Sequence, residues 1–246
     1  MDKTILERIK RKIESGKDIV PQSTPVVYFG DYDTAKACTV SLNPSNLEFA
    51  IGDAGILLAG NQARLCSRKR LEKEDTDELT EMDAEIVLQD CKDYFTKNPL
   101  RDWFDKFNWF IQRYGEYTYY DRGTCVHLNL VQWATSEKWS DLSTDVVEWH
   151  LDKDLPVLKH LLEKKAFEVI FLNGITAVNH VSECLGLRLK SQCSTFKGKP
   201  LTIYFGKYRN TDVIGWNLYM THPPLIDYKD ICDLCDLVKK HMAKVT

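Results

Sequence analysis

Apolar residues recur along this chain with two different periods, and the alternation between them outlines a fold. Residues 4–14 carry Ile5, Ile9 and Ile13 at helical spacing with charges between them, which predicts an N-terminal helix. After a break at Pro21 and Pro25 come an apolar stretch, 26–29, and an almost unbroken apolar run, 37–42, that ends at Asn43-Pro44-Ser45. A strand buried on both faces has this composition, and proline ends it. Residues 78–95 and 100–114 return to a 3.6-residue period, the second headed by Pro99, which is favourable in a first helical turn. Residues 124–131 read as a second strand, 145–164 as a helix despite Pro156, 168–172 as a third strand and 176–185 as the helix after it. The tail holds an apolar run at 201–205, a polar turn at Arg209 and Asn210, and a last run at 216–220 that ends in Thr221-His222-Pro223-Pro224. A closing helix is predicted over 227–244.

Short apolar strands separated by helices of ten or more residues imply crossover connections and parallel pairing. The expected fold is therefore α/β, with three layers in which helices cover both faces of a central, mainly parallel four-stranded sheet. Residues 1–246 are expected to form one domain, with 1–20 as a helical extension and 68–83 as a polar, mobile insertion. Ligands of such sheets bind beyond the carboxyl ends of the strands. The loops to inspect are those after Leu42, Val131, Leu172 and Thr221.

Composition narrows the chemistry. With 43% hydrophobic residues in 246, a sizeable core is available, and a net charge of -3 creates no global basic field. A nucleic-acid partner would need a local patch. Residues 1–17 are rich in Lys and Arg and show no apolar run with a cleavage site, and no stretch approaches a membrane span, so a cytoplasmic chain with no membrane partner is expected. The eight cysteines are scattered; Cys38, Cys91, Cys125 and Cys184 fall inside predicted elements and read as buried thiols in a reducing compartment. Cys232 and Cys235 form a lone C-x-x-C in the closing helix, where helix packing is the reading and metal or redox use the alternative. His127, His150, His160, His180 and His241 show no mutual metal-ligand spacing, so no metal is expected. Esterase, ATPase and dehydrogenase fingerprints are missing.

At the loops singled out above the sequence becomes recognisable. Val40-Ser41-Leu42-Asn43-Pro44-Ser45 resembles the first motif of the uracil-DNA glycosylase superfamily, and Met220-Thr221-His222-Pro223-Pro224-Leu225 resembles its second. Between them, His127-Leu128-Asn129-Leu130-Val131 is similar to the family's second core strand, and residues 171–177 to its third strand and the helix start after it. The likeness spans roughly residues 26–228. Ser41 replaces the usual leading Gly, Ser45 stands where mismatch-type members often have Gly, and the apolar loop after His222 is short.

The resemblance implies a uracil-DNA glycosylase-like sheet and a cofactor-free, monomeric DNA glycosylase that removes uracil or another deaminated base. Its alternative is a member of the same fold that binds nucleic acid or a nucleobase without cleaving it. Asn43 and His222 would be the catalytic pair, Asn43 holding the attacking water and His222 donating to the base oxygen on which charge accumulates. Asn129 would read the base edge, since one amide both donates and accepts. Ser41, Leu42, Ser45 and His127 would line the pocket. Phe49 could stack on the base or pack in the core, and Leu225 could wedge into the vacated base step or cover the core. Arg64, Arg68, Lys69 and Arg70 after the first motif, and Lys197, Lys199, Lys207 and Arg209 before the second, are the candidates for holding DNA phosphates.

Overall fold

The structure, a computed structural model, describes residues 2–52, 55–121, 123–220, 222, 225 and 227–243. Thr221, Pro223 and Pro224 of the second motif lie outside the described residues, as does Lys244 at the predicted end of the closing helix. In chain order the elements are α1 (Lys3–Ile9), β1 (Ala37–Ser41), the short strands β2 (Ala50–Ile51) and β3 (Ile56–Leu57), α2 (Glu81–Lys92), α3 (Arg101–Gly115), β4 (Cys125–Asn129), α4 (Thr144–Lys164), β5 (Val169–Asn173), α5 (Ile175–Leu185), β6 (Lys190–Phe196), β7 (Lys199–Tyr208), β8 (Thr211–Trp216) and α6 (Tyr228–Met242). Among the described residues no helix is long and apolar enough to cross a membrane.

The chain divides into two units of interleaved segments. One comprises Met1–Tyr32, Leu42–Leu100 and Leu128–Lys164; the other comprises Asp33–Ser41, Arg101–His127 and Lys165–Thr246. A mixed six-stranded sheet in the order β4-β1-β5-β8-β7-β6 dominates the second unit, although the last residues of β4, Leu128 and Asn129, count with the first. β1 pairs with β5, and β5 with β8, in parallel. Thr124 O accepts from Lys36 N, and Leu42 O from Val131 N, so β4 also runs parallel to β1. β8, β7 and β6 then form an antiparallel meander. Central strands β1 and β5 are buried at every position, as unbroken apolar runs require.

Helices cover both faces of this sheet. Phe110 of α3 packs on Phe171 of β5 and Trp216 of β8, at ring separations of 5.5 and 4.7 Å. Leu172 and Gly215 point the other way by the two-residue alternation of a strand. There Gly215 leaves room for Val178 of α5, whose Cγ2 would stand 2.5 Å from a Cβ at that position. α6 packs against α3.

In the first unit α1 packs against α2 and α4. Asp2 caps α1 by accepting from Thr4 N and Ile5 N, and a reciprocal Thr80–Asp83 box caps α2. Residues 18–20 pair with 134–136 through an isolated Ile19–Thr135 bridge and the bonds Val20 N to Ala134 O and Ser136 N to Asp18 O. Ile19, Val131 and Trp133 form a small core beside it, with Ile13, Trp139 and Trp149 packed around them.

Three expectations are corrected. The last strand is Thr211–Trp216 and not 216–220, because the Arg209-Asn210 turn sets its register against β7, pairing Tyr208 with Thr211. The sheet has six strands and not four; β6 is an almost wholly exposed polar edge strand that no hydrophobic pattern announces. The segment 68–83 is tied down by its bonds: Asp75 O accepts from Ile13 N, Lys10 O from Leu79 N, and Asp75 Oδ1 from Gln22 N. The N-terminal helix accordingly ends at Ile9, and Ile13 joins that loop contact.

Candidate functional site

The first motif builds a polar cavity within the first unit. β1 stops at Ser41, and Pro44 has no N–H to continue a ladder. Ser45 turns the chain by accepting from Leu47 N (3.2 Å), which opens the 3-10 turn Asn46–Glu48. Asn43, Ser45 and Asn46 form one wall of a cavity of about 470 Å³, and Thr135, Glu137, Lys138, Trp139 and Asp141 the other. That volume lies in the range of small-molecule sites.

Within it the amide of Asn43 has one possible orientation. The Pro44 carbonyl can only accept, so the atom 3.1 Å from it is Nδ2. Thr135 Oγ1 donates its proton to Glu137 O (2.9 Å) and accepts from the same Nδ2 (3.0 Å). Both donors of the amide are thus committed, leaving Oδ1 as its acceptor.

Other predicted residues have different surroundings. Asn129 is buried at the end of β4, its carbonyl accepting from Gln132 Nε2, and is not among the described residues lining the cavity. Leu42 is half-buried. Phe49 is buried in the core, which leaves it no open ring face for a base. Beside it Glu48, which the sequence reading passed over, is 2% exposed and accepts from Tyr94 Oη with both oxygens (2.9 and 2.7 Å). Burial pushes its carboxyl up to about 7, against the pull of the Tyr94 hydrogen bond and the Arg64 charge. Arg64 donates to Leu47 O and Asn98 O. Arg68 is not a surface cation: it is fully buried, and its guanidinium donates to the carbonyls of Glu74, Asp77 and Arg11. Arg70 pairs with Asp90 (2.6 Å).

In the second unit the strand ends carry a separate set of contacts. Asn173 Nδ2 donates to Ser41 Oγ (3.2 Å), and its Oδ1 accepts from Met220 N (3.0 Å), so one amide ties β1, β5 and the segment after β8. Gly174 follows at φ +87° and caps α5; a Cβ there would stand 2.4 Å from the Tyr219 ring. Tyr219 Oη meets Thr176 Oγ1 (3.1 Å), and the exposed His222 ring lies 5.7 Å from the Tyr219 ring. His127 belongs to the core: Thr39 Oγ1 joins its Nδ1 (2.7 Å) to Tyr119 Oη (2.5 Å), and Trp103, Phe104 and Phe107 surround it. Leu225 is fully buried, with its carbonyl accepting from Lys106 Nζ (3.0 Å), so it covers the core and has no exposed side chain to insert between bases.

The second basic group is split by the sheet. β7 separates Lys199 from Lys207 by roughly 27 Å at the usual rise per strand residue. Lys197 and Lys199 sit at the β6–β7 turn, on the edge where the parallel strands end; Lys207 and Arg209 lie at the opposite edge. Arg209 is thereby removed from any site at the strand ends. Lys197 pairs with Asp230.

None of the eight cysteines forms a disulfide. Cys38 and Cys125 are raised well above the ordinary thiol value by burial, and Cys66, Cys91 and Cys235 to about 12. Among the described residues no group of three or more His, Cys, Asp or Glu side chains is arranged to hold a metal. The cavity residues on the 135–141 segment, Thr135 and Trp139 among them, were pointed to by no motif. Their signal would have been the turn-rich segment after β4, which carries no periodicity.

No family model matches the chain, and no curated protein matches it either.

Proposed function

We propose that the chain hydrolyses the N-glycosidic bond of uracil or another deaminated base in DNA. The observation that carries this reading is the oriented amide of Asn43 in a polar cavity large enough to admit a nucleobase, whose Oδ1 is suited to accept a hydrogen bond from a water molecule. In the reaction, water oxygen bonds to the sugar C1′ while the C1′–base bond breaks and its electron pair stays on the base. Asn43 orients that water without taking its proton, which passes to solvent once the bond has formed.

The test is the formation of abasic sites in single- and double-stranded oligonucleotides containing uracil, under single-turnover conditions. Cleavage by the wild type is expected, with Asn43→Ala slower by about tenfold, the rate equivalent of one lost hydrogen bond to the attacking water, and with binding little changed. A wild type that binds these strands but never cleaves them would move the assignment to a non-catalytic nucleobase-binding protein.

A further inference from the structure

We infer that Thr135 is a positioning residue for Asn43, the hydroxyl that keeps the Asn43 carbonyl and not its amino group in place for water. This rests on the glycosylase reading for its catalytic consequence, but its structural part stands on geometry alone. An isolated Asn amide can turn over and exchange donor for acceptor, because its two ends have the same shape. Here the Pro44 carbonyl holds one Nδ2 proton and Thr135 Oγ1 the other. Thr135 has no proton to offer Asn43, because its own is given to Glu137 O, so towards the amide it can only accept. The relay Asn43 Nδ2–H to Thr135 Oγ1–H to Glu137 O therefore has one direction.

The relay is itself anchored. The Ile19 bridge fixes the Thr135 backbone, Ser136 N donates to Asp18 O, and Glu137 N donates to Asp18 Oδ2 (3.0 Å). Asp18 adopts φ +55°, a left-handed conformation that Asp tolerates better than most residues, and from it both its backbone and its carboxylate reach the 136–137 segment. Residues 18–20 thus hold the segment that orients Asn43.

Thr135→Val keeps the shape of the buried side chain and removes the acceptor; Thr135→Ser keeps the acceptor. In the full chain labelled with nitrogen-15, the Asn43 side-chain NH₂ signals, assigned by their loss in Asn43→Asp, should exchange with solvent faster in Thr135→Val and as slowly as wild type in Thr135→Ser. On uracil-containing oligonucleotides, kcat should fall about three- to tenfold in Thr135→Val, the equivalent of one neutral hydrogen bond, with KM unchanged, and Thr135→Ser should recover it. Should Thr135→Val not fold, Thr135→Cys, a much weaker acceptor, is expected to move both readouts the same way. Unchanged amide exchange in the folded variants would overturn the positioning role. Faster exchange with an unchanged kcat would overturn its catalytic part. A wild type that cleaves no base, or an Asn43→Ala variant as fast as wild type, would sink the glycosylase reading or Asn43's part in it, while the exchange measurement still decides what Thr135 does.

Discussion

Glu48 holds its proton well above the ordinary carboxylate range because burial disfavours its charge more than the Tyr94 hydrogen bond and the Arg64 charge favour it. Its folded pKa of about 7 stands above its ordinary 4.5. Between those values the folded chain holds a proton that the unfolded chain has lost, so this group's contribution is complete below about pH 4.5 and disappears as pH rises through 7. Glu48→Gln removes the titration and retains an acceptor for Tyr94. The variant should therefore gain on wild type between pH 5 and pH 8, by up to on the order of 3 kcal/mol, read from urea midpoints at the two pH values. An equal difference at both would refute the assignment. His150 has the opposite sense. Burial lowers its pKa, while its Nε2 faces Lys17 O at 2.8 Å. It costs stability as pH falls below the ordinary histidine value, which leaves the pH 5 to 8 trend of Glu48→Gln itself unaffected.

Helix α1 shows how an element too short to persist alone is kept in place. A seven-residue helix is well under the length at which isolated helices become marginal in water. Ile5 and Ile9 bury one face, and Arg8, 1% exposed, reaches Asp154 of α4 through Nε (2.8 Å) and Nη2 (2.9 Å). Gln132 completes the group, its backbone N donating to Asp154 and its side-chain oxygen accepting from Arg8. Arg8→Met alone should cost about 3–5 kcal/mol, because it strands a buried carboxylate. Arg8→Met with Asp154→Leu should recover much of that loss, although Gln132 N then lacks an acceptor. A denaturation cycle over the four proteins measures it, and additive losses would contradict the coupling.

Interleaving governs the whole molecule. Each unit is assembled from three separated stretches of chain, so no single cut releases either of them. A fragment of residues 1–100 contains α1 and α2 but lacks α4 and Gln132, and with them both partners of Arg8. It should be largely unfolded by far-ultraviolet circular dichroism and should show no cooperative thermal transition. A cooperatively folded fragment would mean that the loop bonds of 68–83 suffice to hold α1.

What the sequence determined by itself is what local pattern encodes. Unbroken apolar runs became β1, β4 and β5 within a residue or two, amphipathic periods became α2 to α6, and Asn43-Pro44 marks a strand end because proline forbids continuation. Tertiary structure decided the rest. Edge strand β6 has too little apolar surface to be seen, and β8 takes its register from a turn and a neighbour and not from its own composition, which includes Asp212 and Gly215. Whether Phe49 and Leu225 face a ligand or the core depends on what packs against them, and both went to the core. Arg68 and Lys69 are adjacent in the chain, yet one guanidinium is buried among carbonyls and the other side chain is exposed, a distinction that charge patterning cannot make. The orientation of the Asn43 amide is likewise a tertiary fact, since its partner Thr135 lies 92 positions away and is brought to it only when residues 18–20 hold the segment after β4.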